Sequence, residues 1–515
     1  MRQRKSLELY LLTMCYSIKR TQKCTKLFFN HYINTIIMNS YNIKYFTLAF
    51  FISIPIILWA ILQILPTFDD WTTLSAPNRD PNFIQYFLPY GMTWRPGDAL
   101  FGYINGISYK LFPKLNHILV FAAHIGSTLL VYKITKILCF RINASIIATL
   151  FFYISPCVLG NILSCDATNQ SFAHFWGILA VYLYLSKQNK RKYLLWVTCV
   201  YLASAFKDNG IAWSIIPPII SYAFDKIEKQ RFKTEFMLGL AIAIIYAIVR
   251  LTIPHHLYIN ASYADDVVSL YSRIKGFITW IGYTWFSVDY ICIIHKPSRN
   301  FYMAVGTFLL SFPFMLAIWK NKYIWKNKTI WLLITAFTLV VSPNLLISMT
   351  IMNAYGSLGI AAIIVAYLVE YNKHTKNTIN VLLTMYILSV AIVDGHHWYN
   401  AWQTSLPEKT ISQTIIKKTG RPVNKAFCIL IKDDYPKYSS FCVPKDETIG
   451  WGRSIWHETG YKWPQQVNDT TIDRNKKAHE MALQIAKNKL KLDYEAIWIV
   501  DKEQVRVIKK QDLSK

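Results

Sequence analysis

The sequence has 515 residues, 53% of them hydrophobic and 15% aromatic, with only 17% charged and a formal net charge of +27. A soluble domain of ordinary composition has about a quarter of its residues charged, and the basic residues here fall as short clusters between apolar runs, so neither a soluble fold nor the basic stripe of a nucleic-acid binder fits. The balance fits a membrane protein that keeps its lysines and arginines in cytoplasmic loops.

Residues 1–37 read as a cytoplasmic tail. Leu7–Ser17 is too short to span and no small-residue cleavage site follows it, while Met38 offers an alternative start. A run of about 20 apolar residues crosses a bilayer. The first is Tyr45–Leu65, too long for a cleaved signal and therefore an anchor. Further runs lie at His117–Lys136, Ile142–Asn161, Phe172–Leu185, Tyr193–Phe206, Ile211–Phe224, Phe236–Ile253, Phe301–Trp319, Thr329–Ile347, Ala354–Val369 and Thr378–Val393. The expectation is an α-helical polytopic membrane protein of about eleven spans.

Loop charge sets the orientation. Lys136/Arg141, Lys187–Lys192, Lys226–Lys233, Lys320–Lys328 and Lys373–Lys376 occupy alternate loops, which places them and the N-terminus in the cytoplasm. The intervening loops, and everything after Asp394, then face outward. Tyr271–Ile294 is apolar enough to span, but a span there would turn Lys320–Lys328 outward, so it reads as an interfacial or re-entrant helix. Residues 38–394 form the membrane domain, with a large outward loop at 66–116.

Residues 395–515 differ in composition and read as a small outward α/β domain. Ala426–Ile431, Ala496–Val500 and Val505–Ile508 alternate as short strands. Ile472–Leu490 carries Ala478, Met481, Ala482, Ile485 and Ala486 at helical spacing. The nine cysteines show no metal-ligand spacing; Cys428 and Cys442 can pair in an oxidising compartment or stay as two buried thiols. Cys157 and Cys165 flank the second outer loop, and a disulfide there is the less favoured state.

The spans themselves are nearly free of charge. Ionisable residues gather at their outward ends instead: Asp69, Asp70, Asp166, Lys207, Asp208 and Arg250. Proton and ion carriers put carboxylates at mid-membrane depth, so an enzyme acting on a lipid-anchored head group fits better. Asp69-Asp70, between Phe68 and Trp71, reads either as a solvated pair ending a helix or as a general base, ionised and close to an acceptor hydroxyl. Lys207 and Arg250 read either as snorkelling cations or as ligands of a leaving phosphate; Asp208 beside Lys207 reads as its salt-bridge partner. His117 and His124, two turns apart, fit packing or hydrogen bonding better than metal ligation. His255-His256 and His396-His397 read as membrane-surface residues.

Several of these segments, in order, resemble the GT-C glycosyltransferases that use polyprenyl-phosphate sugars, above all protein O-mannosyltransferases and their transmembrane tetratricopeptide relatives. Phe68-Asp69-Asp70-Trp71 is similar to the family's acidic first-loop motif. Trp94-Arg95-Pro96, Leu100-Phe101-Gly102 and the histidines 117 and 124 resemble its Tyr/Trp-Arg-Pro segment and histidine-bearing second helix. Cys165-Asp166-Ala167 sits where the family has Arg-x-Asp/Glu, without the arginine. Phe206-Lys207-Asp208-Asn209-Gly210 resembles Ser-Lys-Glu-x-Gly, Tyr246 with Arg250 matches Tyr-x3-Arg, and Met352–Gly359, which includes Tyr355, is similar to a Tyr-rich segment opening a late span. The family's His-Pro…Glu is represented only by Pro156, and no tetratricopeptide or β-trefoil domain accompanies the fold.

The resemblance implies an inverting hexosyl transfer in a bacterial inner membrane, with the N-terminus cytoplasmic and the C-terminal domain periplasmic. Asp69 or Asp70 would be the base, with Lys207, Arg250 and Arg95 at the donor phosphate, and Asp166, Asp208, His124 and Tyr355 in support. The donor would be a polyprenyl-phosphate sugar, and the acceptor a glycan, lipid or protein. No metal is required, although the paired aspartates can hold a divalent ion. The alternatives are an envelope polysaccharide ligase or oligosaccharyl transferase, a lipid or glycan transporter, and a non-catalytic scaffold.

Overall fold

The computed structural model describes residues 44–67, 70–79, 82, 84, 95–109, 111–164, 167–186, 191–252, 270–289, 301–343, 351–372, 376–432, 452–460, 462–464 and 466–510. Helix α1 (Lys44–Ile61) leads to three short helices, α2 (Asp70–Leu74), α3 (Ala76–Arg79) and α4 (Pro96–Ser108). The bundle continues with α5 (Leu115–Ile137), α6 (Ile142–Tyr153), a 3₁₀ turn at Pro156–Val158, α7 (Leu159–Ile162), α8 (Thr168–Ser186) and α9 (Arg191–Phe206). A second 3₁₀ turn, Asp208–Ser214, precedes α10 (Ile216–Ala223), α11 (Lys229–Thr252), α12 (Leu270–Trp285), α13 (Phe301–Trp319), α14 (Lys328–Val341), α15 (Ile351–Glu370) and α16 (Lys376–Thr419).

Among the described residues, seven helices are long and apolar enough to cross a membrane, not eleven: those at Lys44–Ile61, Leu115–Ile137, Ile142–Ile162, Lys229–Arg250, Tyr302–Trp319, Met352–Glu370 and Thr378–Thr419. The other four expected spans are helical but fall short for identifiable reasons. α8 opens on the polar run Thr168-Asn169-Gln170-Ser171. α9 has 16 residues and α14 has 14. Pro217 and Pro218 start the eight-residue α10, where their missing N–H groups cost nothing. α12 is a single helix within the stretch read as interfacial; its Trp280 is buried, stacks on Phe337 of α14 and donates to Ser357 Oγ of α15 at 3.0 Å.

α15 is the central helix, its membrane segment 94% buried against 11% for α1 and α11, whose apolar faces are left for lipid. Small residues allow the tight packing. A Cβ on Gly177 of α8 would lie 2.1 Å from the Trp213 ring, so only glycine fits there. The basic loops collect at one end of the bundle, as their charge pattern requires. Arg141 bonds Glu370, Lys328 pairs with Asp225, and buried Glu235 takes Lys192, Arg231, Tyr184 and Tyr193.

At the other end stands the α/β domain. The expected boundary at 394/395 falls inside α16, a 44-residue helix of roughly 66 Å at 1.5 Å per residue. It leaves the bundle and enters the domain core through Ile411 and Ile415. Strands β1 (Lys425–Lys432), β2 (Gln466–Asp473), β3 (Ala496–Asp501) and β4 (Gln504–Lys509) form one sheet in the order β2-β1-β3-β4. The first three are parallel and β4 is antiparallel to β3, with Ala426 opposite Val467 on one side and Ala496 on the other. α17 (Arg453–Thr459) packs with α16 on one face, and α18 (Ala478–Lys491) covers the other. The helix expected over Ile472–Leu490 is therefore shorter. Its first residues end β2, a polar edge strand whose side chains are mostly in solvent.

Candidate active site

Four segments converge at the end of the bundle that bears the α/β domain. Lys207-Asp208-Asn209-Gly210 links α9 to its 3₁₀ turn, and Gly210 makes that fold possible. A Cβ there would lie 2.3 Å from the Ala203 carbonyl carbon. The turn aims Asp208 at two arginines, not at Lys207 as the sequence suggested. Asp208 Oδ2 accepts from Arg95 Nε at 3.2 Å and Nη2 at 2.9 Å, while Oδ1 accepts from Arg250 Nε at 2.9 Å and the Tyr246 hydroxyl at 3.0 Å. Burial pushes the Asp208 carboxyl up, but Arg95 and Arg250 outweigh it and hold the group below the usual carboxylate range. The same pairing raises Arg95 against its own desolvation.

Lys207 turns the other way and donates to Asn353 Oδ1 of α15 at 3.4 Å. Arg95, Lys207 and Arg250 thus stand together although they come from three separate stretches of chain. Asp98, on the first turn of α4, joins them and accepts from Thr168 Oγ1 at 3.4 Å. Burial pushes its carboxyl up to about 6 despite Arg95 and Lys207. Nothing in its sequence context marked it out beyond an acidic residue in a helix first turn, a common dipole-matching choice.

A buried polar layer lies next to this group. Gln170 Oε1 and Asn209 Oδ1 are buried with no partner among the described residues. Gly356 lets both amides approach α15, since a Cβ there would lie 2.9 Å from Gln170 Nε2 and 3.3 Å from Asn209 Nδ2. One turn further along α8, His174 packs on Tyr355 with ring centroids 4.8 Å apart, and His124 Nδ1 meets the Tyr355 hydroxyl at 3.2 Å. His124 Nε2 lies 2.9 Å from the Tyr153 carbonyl. His124 and Tyr355 are therefore brought together, as hydrogen-bonded core residues. His117 is buried as well.

The first-loop aspartates separate. Asp69, with Asp166 and Trp94, lies outside the described residues. Asp70 is buried, accepting from the Thr67 N–H and from Ser164 Oγ, each at 2.9 Å. It ties the first loop to the end of α7. The α/β domain holds the same loop from the other side: His457 Nδ1 lies 3.1 Å from the Leu74 carbonyl, and Asn78 Nδ2 donates to the Trp456 carbonyl at 3.0 Å.

One further expectation changes. His396 and His397 are not surface residues at a membrane boundary but close on the fully buried Asp289, at 2.5 Å and 3.2 Å. Cys157 is a free thiol, the favoured of its two expected states, and donates to the Tyr283 carbonyl at 2.9 Å; Cys165 lies outside the described residues. Cys428 is buried in β1, with Cys442 and the pair His255-His256 outside the described residues. No group of three or more His, Cys, Asp or Glu side chains suited to a metal ion occurs among the described residues.

No protein-family model matches the sequence, and no curated protein does. Among solved structures the chain has a distant likeness to the oligosaccharyltransferase of Archaeoglobus fulgidus. Against the apo form the TM-score is 0.40 at 12% identity, covering 84% of this chain and 66% of the other. Against the form tethered by a disulfide to an acceptor peptide containing the NVT sequon it is 0.38 at 14% identity, covering 84% and 65%. The chain thus spans just under two thirds of the length of those proteins.

Proposed function

We propose that this chain is an integral-membrane inverting glycosyltransferase of the GT-C type, moving a sugar from a polyprenyl-phosphate donor to an acceptor hydroxyl at the outer face of a bacterial inner membrane. The observation that carries the reading is the meeting of Arg95, Lys207 and Arg250 beside Asp98 and Asp208, at the end of the bundle away from the basic loops. Three cations converging at the rim of an apolar bundle suit an anionic head group whose lipid tail stays in the bilayer. Arg binds phosphate through its planar fork and Lys as a point charge. Buried amides of Gln170 and Asn209 beside them suit the hydroxyls of a sugar.

The base comes from the first loop. Asp70, buried and bonded to Thr67 and Ser164, suits holding that loop in place, which leaves Asp69 to take the acceptor proton. Asp69→Asn should then abolish transfer with the thermal midpoint unchanged. Asp70→Asn should lower the midpoint, by about 1–3 kcal/mol of stability for a buried acceptor set altered, with partial activity kept. The assay is consumption of synthetic polyprenyl-phosphate hexoses by protein in detergent, read by mass spectrometry. Full activity in both variants would sink the assignment.

A further inference from the structure

The donor-side cations leave one acidic group without a role. Asp98 stands one helical turn beyond Arg95, and Gly97 brings that turn against the end of α9. A Cβ at position 97 would lie 3.1 Å from the Phe206 ring and 3.2 Å from the Ala205 carbonyl oxygen. This approach sets Asp98 within the fields of both Arg95 and Lys207, while the side chains of Thr168 and Asn169, at the start of α8, donate to its carboxyl group. An ionised carboxylate in that position repels any phosphate drawn to the same cations. A carboxylic acid there does the opposite, since it has a proton to donate to a phosphate oxygen.

We propose that Asp98 is protonated when the donor binds and gives that proton to the phosphate oxygen released in the transfer. The inference rests on the glycosyl-transfer reading above and adds the donor-side half of its proton balance. The acceptor oxygen forms its bond to the anomeric carbon as its proton passes to the first-loop base. The bond between the anomeric carbon and the phosphate oxygen breaks, and its electron pair stays on that oxygen. The Asp98 proton moves there, and the carboxylate left behind is held by Arg95 and Lys207.

The proton affinities suit the exchange. Burial has already brought the Asp98 carboxyl to about 6, and a phosphate monoester takes its second proton at about 6. The charged groups acting on Asp98 are Arg95 on its own helix and Lys207 from the end of α9, with Asp208 neutralising part of Arg95; its α8 partners Thr168 and Asn169 are uncharged. An incoming anion raises the carboxyl further. Donor binding therefore takes up a proton, and affinity falls with rising pH.

The test measures binding and turnover of a synthetic polyprenyl-phosphate hexose against pH. The probe is a phosphodiester, so its own charge is constant near neutrality. Wild-type affinity should fall above about pH 6, by up to about tenfold per pH unit while one proton is taken up. Asp98→Asn keeps a neutral side chain there. It should bind the donor without that pH dependence and, at high pH, at least as tightly as wild type, with turnover down by about a hundredfold. Asp98→Glu should restore the pH dependence and part of the turnover. Weaker donor binding by D98N at every pH, or an unchanged pH profile with unchanged turnover, overturns the assignment of Asp98 while the transfer reading stands. A wild-type protein that consumes none of a panel of hexose donors overturns the transfer reading itself.

Discussion

Asp208 and Arg250 meet at 2.9 Å, and the other oxygen of the same carboxylate holds Arg95, so one side chain fastens α11 and the first loop to the end of α9. Two guanidiniums sharing one carboxylate are kept apart and aligned, which two free arginines would not be.

Removing the carboxylate should therefore disturb position more than stability. Its side chain is 32% exposed, with those of the arginines at 26% and 16%, so screening keeps the stabilisation to about 1 kcal/mol. Asp208→Ala should lower transfer by about tenfold to a hundredfold through misplaced cations, with a thermal midpoint only slightly reduced. Because the folded carboxyl lies below its unfolded value, the stabilisation is full above about pH 4 and is lost as pH falls through the folded value. Thermal midpoints of wild type and D208A should differ at neutral pH and converge in acid. A constant difference across that range would remove Asp208 from the ion network.

The first loop is also held from the α/β domain. His457 is buried, contacts the Leu74 carbonyl and packs edge-on to Tyr109 with ring centroids 4.5 Å apart. His457→Ala loses that hydrogen bond and the ring contact, a cost of about 1–3 kcal/mol. The domain keeps its own core, so the loss should appear locally. Hydrogen exchange over residues 70–79 and 100–109 should speed up by about tenfold or more, with exchange in β1 and β3 unchanged. Uniform acceleration across the domain would mean that His457 supports the domain fold and not the docking.

The sequence revealed what depends on local pattern. Apolar runs located the helices, alternation located β1, β3 and β4, and charge sorted the loops to one end. β2 was hidden because Gln466-Val467-Asn468-Asp469-Thr470-Thr471 is an edge strand whose polar side chains face water, so no apolar period marks it. Seven of the eleven expected spans coincide with helices long and apolar enough to cross, while α9 and α14 are shorter helices that still expose Leu194, Tyr201 and Trp331. In the site, Lys207, Asp208, Tyr246 and Arg250 were visible as residues, but their pairing depends on the turn at Gly210. Asp98 went unseen because only the close approach at Gly97 gives it its neighbours. Sequence separation hid the remaining cluster entirely: Asp289 and His397 are 108 residues apart.

That cluster carries the last prediction. Asp289 is fully buried four residues past the end of α12, and both oxygens face imidazoles on α16. A buried carboxylate is tolerated only with such partners, so the histidines and the aspartate hold the α12 segment against the long helix that leads into the α/β domain. Asp289→Asn keeps the shape but removes an acceptor oxygen and the charge that strengthens both bonds, and should cost about 2–3 kcal/mol. His396→Ala, at the partly exposed partner, should cost less than His397→Ala, whose side chain is fully buried. A double-mutant cycle between positions 289 and 397, read by thermal unfolding in detergent, should give a coupling above about 1 kcal/mol. Additive losses would mean that the two residues contribute separately and that α16 is held to the bundle by apolar packing alone.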